Sequence, residues 1–280
     1  MSTTTFAARG WAALGQHGPL CVGLDPHPGL LRDWGLADSP EGLRQFCDLV
    51  LGAVAGRVAA VKPQSAFFER HGSAGISVLE GVLSGLRSAG TLSLLDVKRG
   101  DVDSTMTAYA QAYLADGAPL AADAVTLSPY LGYGSLRPAV ELARRSGRGV
   151  FVVALTSNAE GAGVQHVGAP SVAARIVAEA AADNAGAEPV GHVGLVVGAT
   201  VGAAPQQLGI DLAAANGLVL TPGVGAQGGT PADLASTFAG VRGRVLASVS
   251  RALLEAGPDP GALRAAVDRW SADLARALHG

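Results

Sequence analysis

The chain contains 280 residues, enough for one large domain or two small ones. Hydrophobic residues make up 49% of the sequence and charged residues 15%, so a large core can form, yet no run of about 18 uncharged apolar residues suggests a membrane span. The net charge of −3, with both signs mixed along the chain, argues against non-specific nucleic-acid binding, which requires a basic face.

Short apolar runs, many of them β-branched, recur along the chain and predict eight strands. Several of these runs lack polar alternation, as expected for parallel strands buried on both faces. The predicted strands are Leu20–Leu24, Val58–Val61, Thr91–Val97, Ala124–Leu127, Val150–Leu155, His192–Val197, Gly217–Leu220 and Arg244–Val249.

Helical patterns separate the predicted strands. One helix face is indicated by the spacing of Ile76, Leu79, Leu83 and Leu86. Ser171 is a candidate N-cap, and Pro231 suits the first turn of a short helix that runs to Phe238. The last helix is predicted from about Pro260 to Leu278.

Alternating strands and helices predict an α/β fold, a single (β/α)8 TIM barrel domain over residues 1–280. An open, doubly wound sheet is the alternative, but no GxGxxG motif follows the first strand. No linker, repeat or low-complexity segment divides the chain. In such a barrel the functional groups stand at the carboxyl ends of the strands.

Lys62 and Lys98 are the only lysines, and all other basic residues are arginines. Both lysines lie at predicted strand ends. Asp96 and Lys98 are two residues apart, so on a strand they face the same side. A lysine held there as an ammonium can donate a proton to a carbanion. A structural ion pair is the alternative; the second lysine and Asp25 at neighbouring strand ends favour catalysis.

The segment 221–229 after the seventh strand contains four glycines, which let backbone N–H groups approach an anion closely. Arg251 follows the eighth strand and adds a guanidinium, which can bind an anion through two N–H groups. Loops after strands 7 and 8 are the usual phosphate site of this fold. A glycine-rich turn without a ligand is the alternative, and Arg251 favours phosphate.

These segments together resemble the orotidine 5′-phosphate decarboxylase family. The similarity extends from the first strand to Arg251. The chain length and the segment LTSN, residues 155–158, are similar to those of the longer bacterial branch of the family. The DxKxxD pattern alone is shared with sugar-phosphate decarboxylases and synthases of the same superfamily. The segments that carry the resemblance are GLDP around Asp25, VKP around Lys62, DVKRGD from Asp96 to Asp101, TSN from Thr156 to Asn158, and PGVGAQGG from Pro222 to Gly229.

The resemblance implies decarboxylation of orotidine 5′-monophosphate (OMP) to uridine 5′-monophosphate (UMP) in de novo pyrimidine biosynthesis, with no metal and no cofactor. Lys98 then protonates C6 of the pyrimidine after carbon dioxide leaves, and Asp96 lies against the departing carboxylate. Lys62 and Asp25 bind the ribose and complete the charged array.

Further residues would bind the substrate in this assignment. Ser157 recognises the pyrimidine edge, and phosphate contacts drive loop closure over the base. Gln227 and Arg251 hold the 5′-phosphate, and Pro222 and Gly228 are expected among the substrate-binding residues. Position 250, just before Arg251, carries serine, whereas glycine is expected there in many relatives. His27 is interpreted as a loop residue.

The resemblance also implies a homodimer in which Asp101 of one subunit binds the ribose 2′-hydroxyl in the other, with Thr105 nearby. The helix after Asp101 carries large apolar side chains, which pack either at a symmetric interface or on the chain's own sheet. These side chains are Met106, Tyr109 and Tyr113.

A cytoplasmic location is predicted from cysteine usage. Cys21 and Cys47 are too few for a disulfide framework, and a reducing compartment fits better. Residues 1–10 show no apolar signal-peptide core. Cys21 is expected in the core of the first strand and Cys47 on a helix face.

Two other functions are alternatives to this assignment. A Mg²⁺-dependent sugar-phosphate lyase would place a further acidic ligand at the end of the second strand, where Lys62 stands. A non-catalytic phosphate- or nucleotide-binding barrel would explain the glycine-rich segment and Arg251, but would not require both lysines together with three aspartates.

Overall fold

Eight parallel strands close into a barrel in the computed structural model, which describes residues 4–226 and 228–279. Each strand pairs with its sequence neighbours, and β1 pairs with β8, with Leu20 opposite Ala247. This closure confirms the TIM barrel and rules out the open sheet. The strands are β1 (Leu20–Leu24), β2 (Ala60–Pro63), β3 (Leu92–Arg99), β4 (Ala124–Leu127), β5 (Gly149–Leu155), β6 (Val193–Val197), β7 (Val219–Val224) and β8 (Val245–Val249).

Helices surround the barrel. The α-helices of the described residues are α1 (Phe6–His17), α2 (Pro28–Asp33), α3 (Pro40–Val54), α4 (Ala66–Glu69), α5 (Gly72–Ser88), α6 (Asp103–Leu114), α7 (Arg137–Arg145), α8 (Ala162–Gln165), α9 (Val172–Asp183), α10 (Ala204–Gln207), α11 (Pro231–Thr237), α12 (Arg251–Leu254) and α13 (Pro260–His279). Short 3-10 turns cover Tyr133–Leu136, Ala159–Gly161 and Arg242–Arg244.

The predicted strands match the observed ones closely, and the largest differences lie in β2 and β7. β2 begins at Ala60 rather than Val58, because pairing starts where Cys21 lies opposite Ala60. β7 runs four residues beyond its predicted end, because pairing with β8 continues to Val224 opposite Val249. Both shifts carry strand structure further toward the carboxyl end of the barrel.

The predicted helix starts are confirmed by their caps. Ser171 Oγ accepts a hydrogen bond from the N–H of Ala174 at the start of α9. Thr230 and Asp233 form a capping box before α11, which ends one residue short of the predicted Phe238. On α5, the predicted face is buried at Leu79, Leu83 and Leu86 and half-buried at Ile76.

Apolar side chains form two separate clusters. The larger lies between the strands and the outer helices, and the smaller combines inward-facing strand residues with α1. Phe6 of α1 packs edge-on against Phe151, with ring centroids 5.9 Å apart. The helix α1, which was not predicted, therefore closes the amino end of the barrel and leaves the carboxyl end open.

The apolar side chains of α6 pack mainly against the core of their own chain. Met106 and Tyr113 are buried in the larger cluster, so the structure favours packing on the chain's own core over a symmetric interface. Cys21 and Cys47 are buried, unpaired thiols at the predicted places on β1 and α3. Within residues 4–226 and 228–279, no helix combines the length and the apolar character needed to cross a membrane.

Candidate active site

Inward-facing positions change from apolar to polar toward the carboxyl ends of four strands. Side chains two residues apart on a strand face the same side. The apolar member of each pair belongs to the interior cluster, so the polar member two residues on also faces the interior. The pairs are Ala60 and Lys62 on β2, Leu94 and Asp96 on β3, Ala124 and Thr126 on β4, and Leu246 and Ser248 on β8.

A cavity of about 680 Å³ opens at this end of the barrel. It is large enough for a nucleotide-sized ligand. Seven residues predicted from the sequence line it. They are Asp25, Lys62, Asp96, Lys98, Ser157, Pro222 and Arg251.

Asp96 lies between the two lysines at the floor of this cavity. Lys62 Nζ is 2.8 Å from Asp96 Oδ2, and Lys98 Nζ is 2.6 Å from Oδ1. Lys62 and Asp96 are each only 5% exposed, whereas the Lys98 side chain is 51% exposed. Both ammonium groups therefore contact Asp96 and line the cavity, and the Lys98 side chain is the more exposed of the two to a ligand.

Opposite charges keep this array ionised. Burial alone would raise the pKa of Asp96, but the charges and hydrogen bonds of Lys62 and Lys98 outweigh burial and hold that pKa well below its usual range. Burial would lower the pKa of Lys62, but Asp96 and Asp25 outweigh it and raise that pKa. The carboxylate is thus negative and the buried ammonium positive at neutral pH.

Two further residues bind Asp96 and were missed by sequence reasoning. Gln64 Nε2 donates to Asp96 Oδ2 at 3.0 Å, and Thr126 Oγ1 donates to Oδ1 at 2.7 Å. With the two lysines, these donors give the carboxylate four hydrogen bonds. The position of Gln64, two residues beyond Lys62, was the signal available for that residue; Thr126 had none, because it is uncharged and the register shift that brings it to Asp96 is visible only in the structure.

Lys98 has a backbone conformation rare for residues with a side chain. Its φ of +44° lies in the left-handed region, which costs a non-glycine residue roughly 1–3 kcal/mol. Such strain persists where surrounding contacts enforce it, and it is common at active sites.

The other side of the cavity is formed by β1, β7 and β8. Arg251 begins α12, and the hydroxyl of the preceding Ser250 is buried with no hydrogen-bond partner among the described residues. Both residues line the cavity, together with Pro222, Gly223 and the neighbouring backbone. A guanidinium, an unpaired hydroxyl and an accessible glycine backbone are groups that bind phosphate.

Comparison with known proteins agrees with this geometry. Residues 18–266 match the family model described as "Orotidine 5'-phosphate decarboxylase / HUMPS family". The chain belongs to this family.

Several relatives in the orotidine 5′-phosphate decarboxylase family are similar over almost their whole length. Orotidine 5'-phosphate decarboxylase of Salinispora arenicola is 56% identical over 279 residues, covering 99% of each chain. The Streptomyces coelicolor enzyme of the same name is 53% identical over 277 residues, covering 98% of each chain. The family resemblance inferred from the motifs is thereby confirmed.

Solved structures show the same barrel. A crystal structure from Streptomyces avermitilis superposes with a TM-score of 0.95 at 53% identity, covering 100% of this chain and 98% of that one. OMP decarboxylase from Leishmania donovani gives a TM-score of 0.79 at 30% identity, covering 99% of this chain and 100% of that one. The architecture is thus kept at much lower identity.

The remaining residues of the predicted site are Asp101, Thr105, Gln227 and Gly228. Asp101 and Thr105 do not line the cavity of their own chain; Asp101 accepts a hydrogen bond from the N–H of Val102, and Thr105 is exposed on α6. Gly228 does not line it either, although its φ of +85° suits glycine. Gln227 lies outside the described residues.

The loop after β5 carries the residue expected at the base. Ser157 is exposed, and its Oγ accepts a 3.4 Å hydrogen bond from the N–H of Thr200. The loop is held by Gln165, whose side chain bonds the backbone and the hydroxyl of Thr156. Ser157 therefore stands at the edge of the cavity, on an organised loop.

His27, interpreted from the sequence as a loop residue, also lines the cavity. It immediately precedes α2, and its ring packs against Phe67 with centroids 4.2 Å apart. Burial lowers its pKa, and Arg251 adds to this effect, whereas Asp25 opposes it. The imidazole is therefore part of the wall near Arg251.

Proposed function

We propose that this chain decarboxylates OMP to UMP in pyrimidine biosynthesis, as a carboxy-lyase of the family to which it belongs. The observation that carries the proposal is Asp96 held between Lys62 and Lys98 at the cavity floor. Relatives at 52–56% identity bear the name of this enzyme. Substrate positioning and charge stabilisation are the tasks that such a fixed array can perform.

The reaction proceeds at C6 of the pyrimidine. The bond between C6 and the carboxylate breaks, carbon dioxide leaves, and the electron pair stays on C6. Lys98 stabilises that charge and transfers an ammonium proton from Nζ to C6, giving UMP; the neutral amine then regains a proton from solvent. Asp96 faces the substrate carboxylate, and this repulsion is relieved as neutral carbon dioxide departs.

Binding groups hold the remainder of the substrate. Lys62 and Asp25 bind the ribose, and Asp25 Oδ1 is buried with no partner among the described residues. Ser157 binds the pyrimidine edge. The phosphate is bound by Arg251 and the Ser250 hydroxyl, with the loop residues Pro222, Gln227 and Gly228.

The proposal includes a homodimer in which the partner supplies Asp101 to the ribose 2′-hydroxyl, with Thr105 beside it. Asp101 does not face its own cavity, which supports this arrangement. Apolar side chains on the neighbouring loops are exposed, at 47% for Val102, 80% for Tyr130 and 54% for Leu131. Exposed apolar side chains on loops beside an incomplete site suit a second copy of the chain.

A cytoplasmic location and independence from metals and cofactors are also proposed. The location rests on Cys21 and Cys47, which are free thiols. Independence from metals rests on the family resemblance and is tested directly by chelation.

The decisive experiment follows the loss of OMP absorbance after purified protein is added, with and without EDTA. Chromatography verifies that UMP appears in equal amount. We expect turnover that EDTA does not change. Absence of UMP from a folded, dimeric sample contradicts the proposed function, whereas loss of activity in EDTA contradicts only metal independence.

A further inference from the structure

The strands β3 and β4 lose their register at the reactive lysine. Leu95 lies opposite Val125, and Arg99 lies opposite Leu127, so β3 advances four residues while β4 advances two. The three residues 96–98 therefore face the single residue Thr126. A bulge of this kind leaves backbone groups without ladder partners and redirects side chains, often next to active sites.

The Thr126 hydroxyl occupies this gap and contacts both ends of the bulge. It donates to Asp96 Oδ1 at 2.7 Å and accepts from the backbone N–H of Lys98 at 3.0 Å. One hydroxyl can make both bonds, since it carries one proton and two lone pairs. The Thr126 residue is 1% exposed, so water does not readily substitute for it.

We propose that Thr126 is a positioning residue that fixes the Lys98 backbone in its left-handed conformation relative to the Asp96 carboxylate. The strained φ of +44° places the ammonium in the cavity, and the hydroxyl is the direct link between that backbone and the carboxylate. This inference rests on the proposed function, because it concerns the proton donor of that reaction. Thr126 does not line the cavity and touches no ligand itself.

A packing role alone predicts a different outcome. Thr126 is almost fully buried on β4, so a side chain of the same shape would satisfy packing without a hydroxyl. Valine has that shape and no hydroxyl, whereas serine keeps the hydroxyl and loses one methyl group. The two substitutions therefore separate positioning from packing.

The test compares Thr126→Val and Thr126→Ser for kcat, KM and UMP binding. Thr126→Val leaves the Lys98 N–H and one Asp96 lone pair without a partner, so we expect kcat to fall about 10- to 100-fold, by analogy with hydrogen bonds to charged groups. Thr126→Ser should retain kcat within about threefold. UMP should bind every variant at one site per chain with affinity within about twofold, since phosphate and ribose contacts are untouched.

The stoichiometry of UMP binding distinguishes a misplaced lysine from a smaller folded fraction, because misfolded chains would bind no UMP. Thr126→Ala removes the same hydroxyl and is measured alongside, so that the result does not depend on one variant folding. Thr91→Val is the matched control: Thr91 is buried just before β3, does not line the cavity, and its hydroxyl likewise accepts a hydrogen bond from a backbone N–H, that of Gly56, at 2.7 Å. We expect it to keep normal kcat.

If folded Thr126→Val protein keeps the kcat of the wild type, the inference is wrong, and the proposed function is unaffected. Equal loss of kcat in the serine and valine variants also overturns the inference, because packing would then explain both. A wild-type protein that consumes no OMP contradicts the proposed function instead.

Discussion

Gly23 on β1 lies directly against Ser250 at the end of β8. A Cβ added at Gly23 would come within 2.6 Å of Ser250 Cβ and 3.3 Å of its Cα. Both distances are too short for ordinary contact, and one of them involves backbone. The spacing between these strands therefore depends on the missing side chain, and it sets the position of Ser250 and of the adjacent Arg251.

Substitution Gly23→Ala should weaken phosphate binding without removing any charged group. The added methyl displaces Ser250 and Arg251, so we expect a higher KM for OMP and weaker UMP binding. Steady-state kinetics and UMP titration measure both. Gly81→Ala is the control, because Gly81 lies on α5 with nothing within 4 Å of an added Cβ. Unchanged KM in folded Gly23→Ala protein would show that this contact does not set the phosphate site.

The sequence predicted the charged array because two simple rules place it. Parallel strands end at the same edge of a barrel, and residues two apart share a face, so Asp96 and Lys98 were brought to Lys62 without structural information. The predicted ends of the shifted strands were less accurate, because hydrogen-bonded pairing with the neighbouring strand, and not composition, decides where a strand ends.

Other parts of the site depend on contacts that the sequence does not encode locally. Thr126 lies about thirty residues from Asp96 and meets it through a change of register between β3 and β4. The same applies to Gly23 and Ser250, which meet only when β1 closes on β8. Closure and register are tertiary features, so composition and spacing gave no signal for either contact.

Substitution Lys98→Ala should abolish decarboxylation while the fold persists. The proton donor is lost, but a half-exposed side chain contributes little to the core. Loss of a proton donor costs roughly 10² to 10⁴ in rate, and more where its charge also stabilises the carbanion. Circular dichroism and UMP binding verify folding, and kcat near that of the wild type in folded protein would remove Lys98 from its role.

Substitution Arg251→Ala should raise KM and also lower kcat, because phosphate binding energy is used for closure. A charge-assisted bidentate contact is worth about 1.5–3 kcal/mol, and added guanidinium should restore part of the activity. Arg44→Ala, which removes an exposed arginine on α3, is the charge control. If the wild type consumed orotidine and OMP equally well, the phosphate site would be misassigned.

His192 should make the fold less stable in mild acid. Burial lowers its pKa despite the opposing effect of Asp183, and its Nε2 is buried without a partner among the described residues. Below about pH 6.5 the unfolded chain therefore binds a proton that the folded chain resists, so the free energy of unfolding decreases as pH falls. Urea unfolding at about pH 7.5 and 5.5 should show a smaller decrease for His192→Gln than for the wild type. Equal decreases would assign the effect to other groups.

The proposed sharing of Asp101 across a dimer predicts that two inactive variants complement one another. Asp101 does not line the cavity of its own chain, whereas Lys98 does. A mixed dimer of Lys98→Ala and Asp101→Ala subunits therefore holds one site with both residues intact, contributed by different chains, and one site that lacks both.

Random exchange between equal amounts of the two variants gives about half mixed dimers, each with one working site of two, so roughly a quarter of wild-type activity should return. Each variant taken through the same exchange alone should stay inactive. The measurement is OMP turnover before and after mixing, with exchange established independently by native mass spectrometry of differently tagged chains. If exchange occurs and activity does not return, Asp101 acts within its own chain or has no part in the reaction, because a residue supplied by the partner must be restored in every mixed dimer.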